Sequence, residues 1–150
     1  MDRTGIKKII LCCLMGMTAQ VFSSYALGFI LDMIPGAAVR YSADIENLLE
    51  NEVFTVLRVA LLFPVLEEMF FRFLIMGFLR RYCPFIAANL IQAALFGIYH
   101  MNMVQGIYAF IMGMFICTLY HRDHRIIVPV SLHIGANLAV WLCGNLLFGV

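Results

Sequence analysis

Glu67-Glu68-Met69-Phe70-Phe71-Arg72 places two carboxylates and a guanidinium inside a stretch, 53–79, that is otherwise almost wholly apolar. A charge at bilayer depth costs about 3 kcal/mol on insertion scales. Such groups persist where they are paired, face a wet cavity or do chemistry. Two further apolar stretches carry polar groups at helical spacing: Phe96-x-x-x-His100 and His133-x-x-x-Asn137. A carboxylate with an imidazole can activate a water. An imidazole with a carboxamide can donate to a developing oxyanion. Together these suit hydrolysis of an amide bond within a membrane.

Each piece also has a plainer reading. Glu67 and Glu68 point about 100° apart on a helix, so they cannot share one role. Glu68 stands four residues before Arg72, the favourable order for an ion pair, and reads as a structural salt bridge. No charged residue stands three or four places from Glu67, which leaves it available as a general base or acid. The plain alternative is that both acids pair with Arg72 and Arg58 and only join helices. His100 ends its apolar run and could be an interface residue with Asn102 as a polar neighbour. His133 and Asn137 share one helix face and could be an interhelical hydrogen-bond pair worth about 1 kcal/mol. Other chemistries find less support. Ser131 has no base three or four residues away, and no His-Glu-x-x-His is present.

The elements that must hold these groups are membrane spans. Of 150 residues, 63% are hydrophobic and 13% charged, with mean hydropathy +0.94. Soluble domains are about 45–50% apolar and about 25% charged. The pattern predicts one integral-membrane domain over 1–150, an all-α polytopic helix bundle of about five spans around a central polar cavity. The predicted apolar segments are 6–34, 53–79, 84–100, 104–120 and 126–148, with the motifs inside a core of about 53–148. Pro64 should kink the second segment or start a new helix. The polar stretch 35–52 is expected to form a short amphipathic surface helix.

Basic residues fall into three groups: Arg3, Lys7 and Lys8 before the first span, Arg80 and Arg81 after the second, Arg122 and Arg125 after the fourth. In a five-span drawing all lie on one side, with only Arg40 opposite. The positive-inside rule then predicts a multi-pass protein of the plasma (inner) membrane with a cytoplasmic N-terminus. Partners are the lipid bilayer and a membrane-associated peptide. The net charge of +1 gives no field for nucleic acid. The five cysteines form no C-x-x-C pair and read as reduced packing thiols. Ala93 with Gly97, and Gly113 with Cys117, allow close helix packing.

The ordered trio of motifs resembles those of the CAAX protease and bacteriocin-processing family, also called the Abi family. The resemblance spans about 60–140. It implies an all-helical intramembrane endopeptidase acting on a membrane-associated, lipidated or leader peptide. It further implies that Glu67 and His100 activate the attacking water and that His133 and Asn137 form the oxyanion site. Glu68 and Arg72 match motif positions of structural character. The family has been described both as metal-dependent and as using a metal-independent glutamate; a zinc, if bound, would take Glu67, His100 and His133. Members usually have more spans, and Phe73 stands where glycine often follows the motif arginine. A non-catalytic immunity or scaffold protein with the same polar core is the alternative.

Depth sets one further expectation. At 1.5 Å per residue from the cytoplasmic ends, Glu67 lies at roughly 18 Å, His100 at roughly 24 Å and His133 at roughly 10 Å. Ile126-Ile127-Val128-Pro129 is β-branched and ends in proline. An extended, irregular stretch near 125–130 would lift His133 toward the others.

Overall fold

In the computed structural model, residues 3–33 and 57–148 are described, and all regular structure among them is helical. The expected surface helix over 35–52 and the first residues of the second segment, 53–56, lie outside the described residues. α1 spans Arg3–Met33. Four consecutive segments follow: α2 (Leu57–Leu62) and α4 (Met69–Ile75) are π-helical, while α3 (Phe63–Glu68) and α5 (Met76–Leu79) are α-helical. α6 (Phe85–Tyr99), α7 (Met103–Asp123) and α8 (Ile127–Phe148) complete the chain. The helices start and stop within a few residues of the apolar runs, because each run ends where polar or turn-forming residues begin.

The surface is that of a membrane protein. Phe22, Tyr25, Phe73, Ile86 and Ile98 are all exposed, as large apolar groups facing lipid would be. Thr4–Ala26 and Met103–Asp123 are long and apolar enough to cross a bilayer, while Phe85–Tyr99 and Ile127–Leu142 are apolar but shorter.

Two compact units can be separated: Val65–Val130, and Met1–Pro64 with Ser131–Val150. In Val65–Val130, α6 and α7 form a tight hairpin. Met101 takes a left-handed conformation (φ 56°) in the turn. The Asn102 side chain caps α7, accepting from the N–H groups of Val104 (2.9 Å) and Gln105 (3.0 Å). Asn102 is thus an N-cap rather than simply a polar neighbour of His100. Near the turn the two backbones touch. A Cβ on Gly97 would meet the Gly106 carbonyl oxygen at 2.6 Å, and one on Gly113 would meet Phe96 at 3.1 Å. The close packing expected of these small residues is present. Two apolar clusters hold the unit: Phe71, Phe96 and Ala109 form one, and Met76, Ala88 and Cys117 the other.

In the other unit α1 crosses α8 at van der Waals distance. A Cβ on Gly16 would lie 1.9 Å from the Leu132 carbonyl oxygen, and one on Gly135 would lie 2.0 Å from that of Cys13. Both obstacles are backbone, which cannot swing aside. Gly135→Ala is therefore expected to destabilise the protein by about 1–3 kcal/mol, seen as an earlier thermal transition in detergent. An unchanged transition would rule out this crossing.

The extended stretch expected near 125–130 is absent. α8 begins at Ile127, with Val128 N–H donating to Arg125 O (3.1 Å) and Val130 N–H to Ile126 O (3.2 Å). Pro129 sits in the first turn, where a missing N–H breaks no intrahelical bond. Val128, Pro129 and Val130 are buried, so packing outweighs their β preference. Irregular backbone is confined to residues 124–126, where His124 closes α7 in the left-handed region (φ 61°).

Candidate active site

Glu68 and Arg72 are four residues apart and fully buried, joined by Nε–Oε2 at 2.7 Å and Nη2–Oε1 at 3.3 Å. This is the structural pair read from the sequence. Arg72 also reaches across to α6. Its Nη1 donates to Gln92 Oε1, and its guanidinium carbon lies 5.3 Å from the centre of the Phe96 ring. Gln92 Nε2 donates in turn to Asn89 Oδ1 (2.8 Å), and Asn89 Nδ2 donates to Met114 O and to Thr118 Oγ1 on α7 (both 3.2 Å). A hydrogen-bonded line thus runs from Glu68 to Thr118 across four elements, α3, α4, α6 and α7. Sequence reasoning missed Asn89 and Gln92. Two amides one turn apart in an otherwise apolar helix were the available signal.

Glu67, beside this pair, is half-buried on α3. Phe71 packs edge-on against Phe96 (4.9 Å between ring centres) and Tyr99 (5.8 Å), while farther along Met76 meets Ala88. The chain bearing Glu67 therefore runs antiparallel to α6. One turn back from Phe71 is Glu67; one turn on from Phe96 is His100. Both steps lead the same way in space, so the carboxylate and the imidazole stand at about the same level. Helix register, rather than distance from a helix end, thus governs the relative heights of Glu67 and His100.

His100 is oriented by its own helix. Nδ1 lies 2.8 Å from the Phe96 carbonyl oxygen. A carbonyl can only accept, so Nδ1 carries the proton, and in the neutral ring Nε2 is then the acceptor nitrogen. The ring edge packs on Phe96, 4.8 Å between centres.

His133 and Asn137 belong to the other unit, one turn apart on α8. His133 is buried and Asn137 half-buried. Asn137 Nδ2 donates to the Val59 carbonyl at 2.9 Å. That carbonyl lies in π-helical α2, where its partner five residues on would be Pro64, which has no N–H. Asn137 supplies the missing donor. Its carboxamide is thereby fixed in orientation, with a second Nδ2 hydrogen still to place. This anchoring role is not visible in the spacing of the motif.

The family described as Type II CAAX prenyl endopeptidase, Rce1-like, matches residues 49–139, well over half of the chain. The chain belongs to that family. Over 77 residues this Rce1-like chain is also 38% identical to "Putative membrane peptidase YdiL" of Bacillus subtilis (strain 168), a match covering 51% of the chain and 32% of that protein. The match thus takes in about a third of the length of that relative. No solved structure matches.

The Rce1-like match encloses every residue singled out above. The three metal ligands considered from sequence divide between the units, Glu67 and His100 in one and His133 in the other. Within neither unit, among the described residues, do three or more His, Cys, Asp or Glu side chains gather as a metal site would require. A zinc site built inside one unit does not fit these residues.

Proposed function

We propose that the chain is an intramembrane endopeptidase that hydrolyses a peptide bond in a membrane-associated substrate, either lipidated or a leader peptide. What supports this is the register set by Phe71 on Phe96, from which Glu67 and His100 each lie one turn further in the same direction, with His100 Nδ1 held at the Phe96 carbonyl. Glu67 takes a proton from water as the water oxygen attacks the scissile carbonyl. His100, through Nε2, accepts a hydrogen bond from the same water and aims it. His133 and the second Nδ2 hydrogen of Asn137 donate to the oxygen that becomes negative. The C–N bond then breaks, and the proton held by Glu67 passes to the departing amine. Water is consumed, and an acid and an amine are formed. Glu68 and Arg72 hold the helix in place and take no proton.

Family membership and the exposed apolar surface support a membrane location. The three basic groups support a multi-pass arrangement in the inner membrane with the N-terminus in the cytoplasm.

The test is cleavage of a quenched fluorogenic peptide, ending in a prenylated cysteine and three further residues, by the purified chain in micelles. Cleavage between the cysteine and the next residue supports the reading. Absence of cleavage with this peptide and with a leader peptide rejects it. His133→Ala is expected to lower kcat about 10²–10³-fold with little change in KM, since the oxyanion exists only after attack. Equal kcat in that variant removes the oxyanion role from His133.

A further inference from the structure

We infer that Gln92 is a positioning residue for the reaction: its amide, oriented by Asn89 and α7, clamps Arg72 and so holds Glu67 in register with His100. The inference rests on the hydrolytic reading above and extends it to a residue outside the three motifs.

Arg72 needs acceptors for a buried cation. Its guanidinium has five N–H donors, and it is buried to 1% exposure. Glu68 meets one side of the fork, from the same stretch of chain. The other side, at Nη1, is met by Gln92 Oε1 from α6. A neutral amide oxygen satisfies that donor without adding a second negative charge to a buried pair that already balances. An aliphatic side chain at 92 would leave the donor buried and unmet.

Gln92 can present its oxygen in one orientation only. Its Nε2 donates to Asn89 Oδ1 (2.8 Å), to Asn89 O (3.2 Å) and to Gly113 O (3.3 Å), three acceptors. A flipped amide would set its oxygen against those acceptors and its NH₂ against the cation. Asn89 is oriented likewise, through Met114 O and Thr118. α7 thus decides which atom of Gln92 faces Arg72.

The catalytic consequence follows from spacing. Gln92, Phe96 and His100 fall at i, i+4 and i+8 on one side of α6, while Glu67 adjoins Glu68, the ionic partner of Arg72. Arg72 touches both Gln92 and Phe96. The arginine is therefore the pin between the chain that carries the base and the helix that carries the imidazole, and Gln92 is where the pin seats. Loosening the seat lets the two helices slide. A misplacement of about 1 Å in a reacting pair can cost about a hundredfold in rate.

The test uses Gln92→Leu and Gln92→Glu in the full chain, assayed with the fluorogenic prenylated peptide beside Glu67→Gln. Gln92→Leu is expected to lose about a hundredfold in kcat while KM stays within about threefold. A kcat within about threefold of wild type overturns the inference. If Gln92→Leu does not fold, Gln92→Glu decides. When protonated, the introduced carboxyl has the shape and acceptor of the amide; when ionised, it adds charge beside Glu68. Its kcat relative to wild type should rise as pH falls. A ratio that does not change with pH, or an enzyme inactive throughout, overturns the inference. Loss of activity in Glu67→Gln with wild-type kcat in Gln92→Leu would remove the clamp and leave the hydrolytic reading standing. Full activity in Glu67→Gln would remove the hydrolytic reading itself.

Discussion

Glu67→Gln yields a folded protein whose kcat falls about 10²–10⁴-fold, the range expected when a general base is removed. The substitution keeps the size of the side chain and one carbonyl oxygen. It removes only the capacity to take a proton from water. Glu67 is half-buried, and the contacts joining Glu68, Arg72 and Gln92 are made by those three side chains themselves. Thermal unfolding in detergent should match wild type within a degree or two, on the order expected of a substitution that keeps side-chain size at a half-buried position. The measurements are kcat on the fluorogenic peptide and the melting transition of the same preparation. A variant as active as wild type excludes Glu67 as the base. A variant that is inactive and also unfolds early shows that Glu67 holds the bundle together, as a scaffold protein would require.

Glu68→Ala should do the opposite: it unseats the fold. The carboxylate is fully buried, and its loss leaves the Arg72 guanidinium with Gln92 and the face of Phe96. Removing one partner of a buried ion pair costs about 3–5 kcal/mol, because the remaining charge stays out of water. A cost of that size is a large share of the stability of a small protein. The check is a chemical or thermal melt in micelles. Replacing both partners, Glu68→Leu with Arg72→Leu, should recover part of the loss, because no bare charge remains. Recovery is incomplete, since Gln92 Oε1 then loses its donor. If Glu68→Ala melts like wild type, the pair is not what fastens this region. Two neighbouring glutamates are thus expected to answer differently, one in turnover and one in stability.

What was legible in the amino-acid sequence was local. The apolar runs located the helices because hydropathy is a property of the chain itself, and Pro64 marked a change of helical register for the same reason. Glu68 with Arg72 was legible because residues four apart on a helix meet whatever surrounds them. The candidate site residues were named from three short motifs on separate segments. The rest depended on which segments lie side by side. Asn137 anchors a carbonyl 78 residues away, and Arg72 finds Gln92 20 residues on. Neither spacing carries a periodic signal. Heights counted from helix ends carry no information on register between helices, which the Phe71–Phe96 contact supplies for Glu67 and His100. The extended entry to α8 was wrong because the burial of Val128, Pro129 and Val130 overrode their local preference. Residue types determined what chemistry was available and which segments would be helical; only the packing of helices decided which donor meets which acceptor, because a hydrogen bond's partner is chosen by proximity in space and not along the chain.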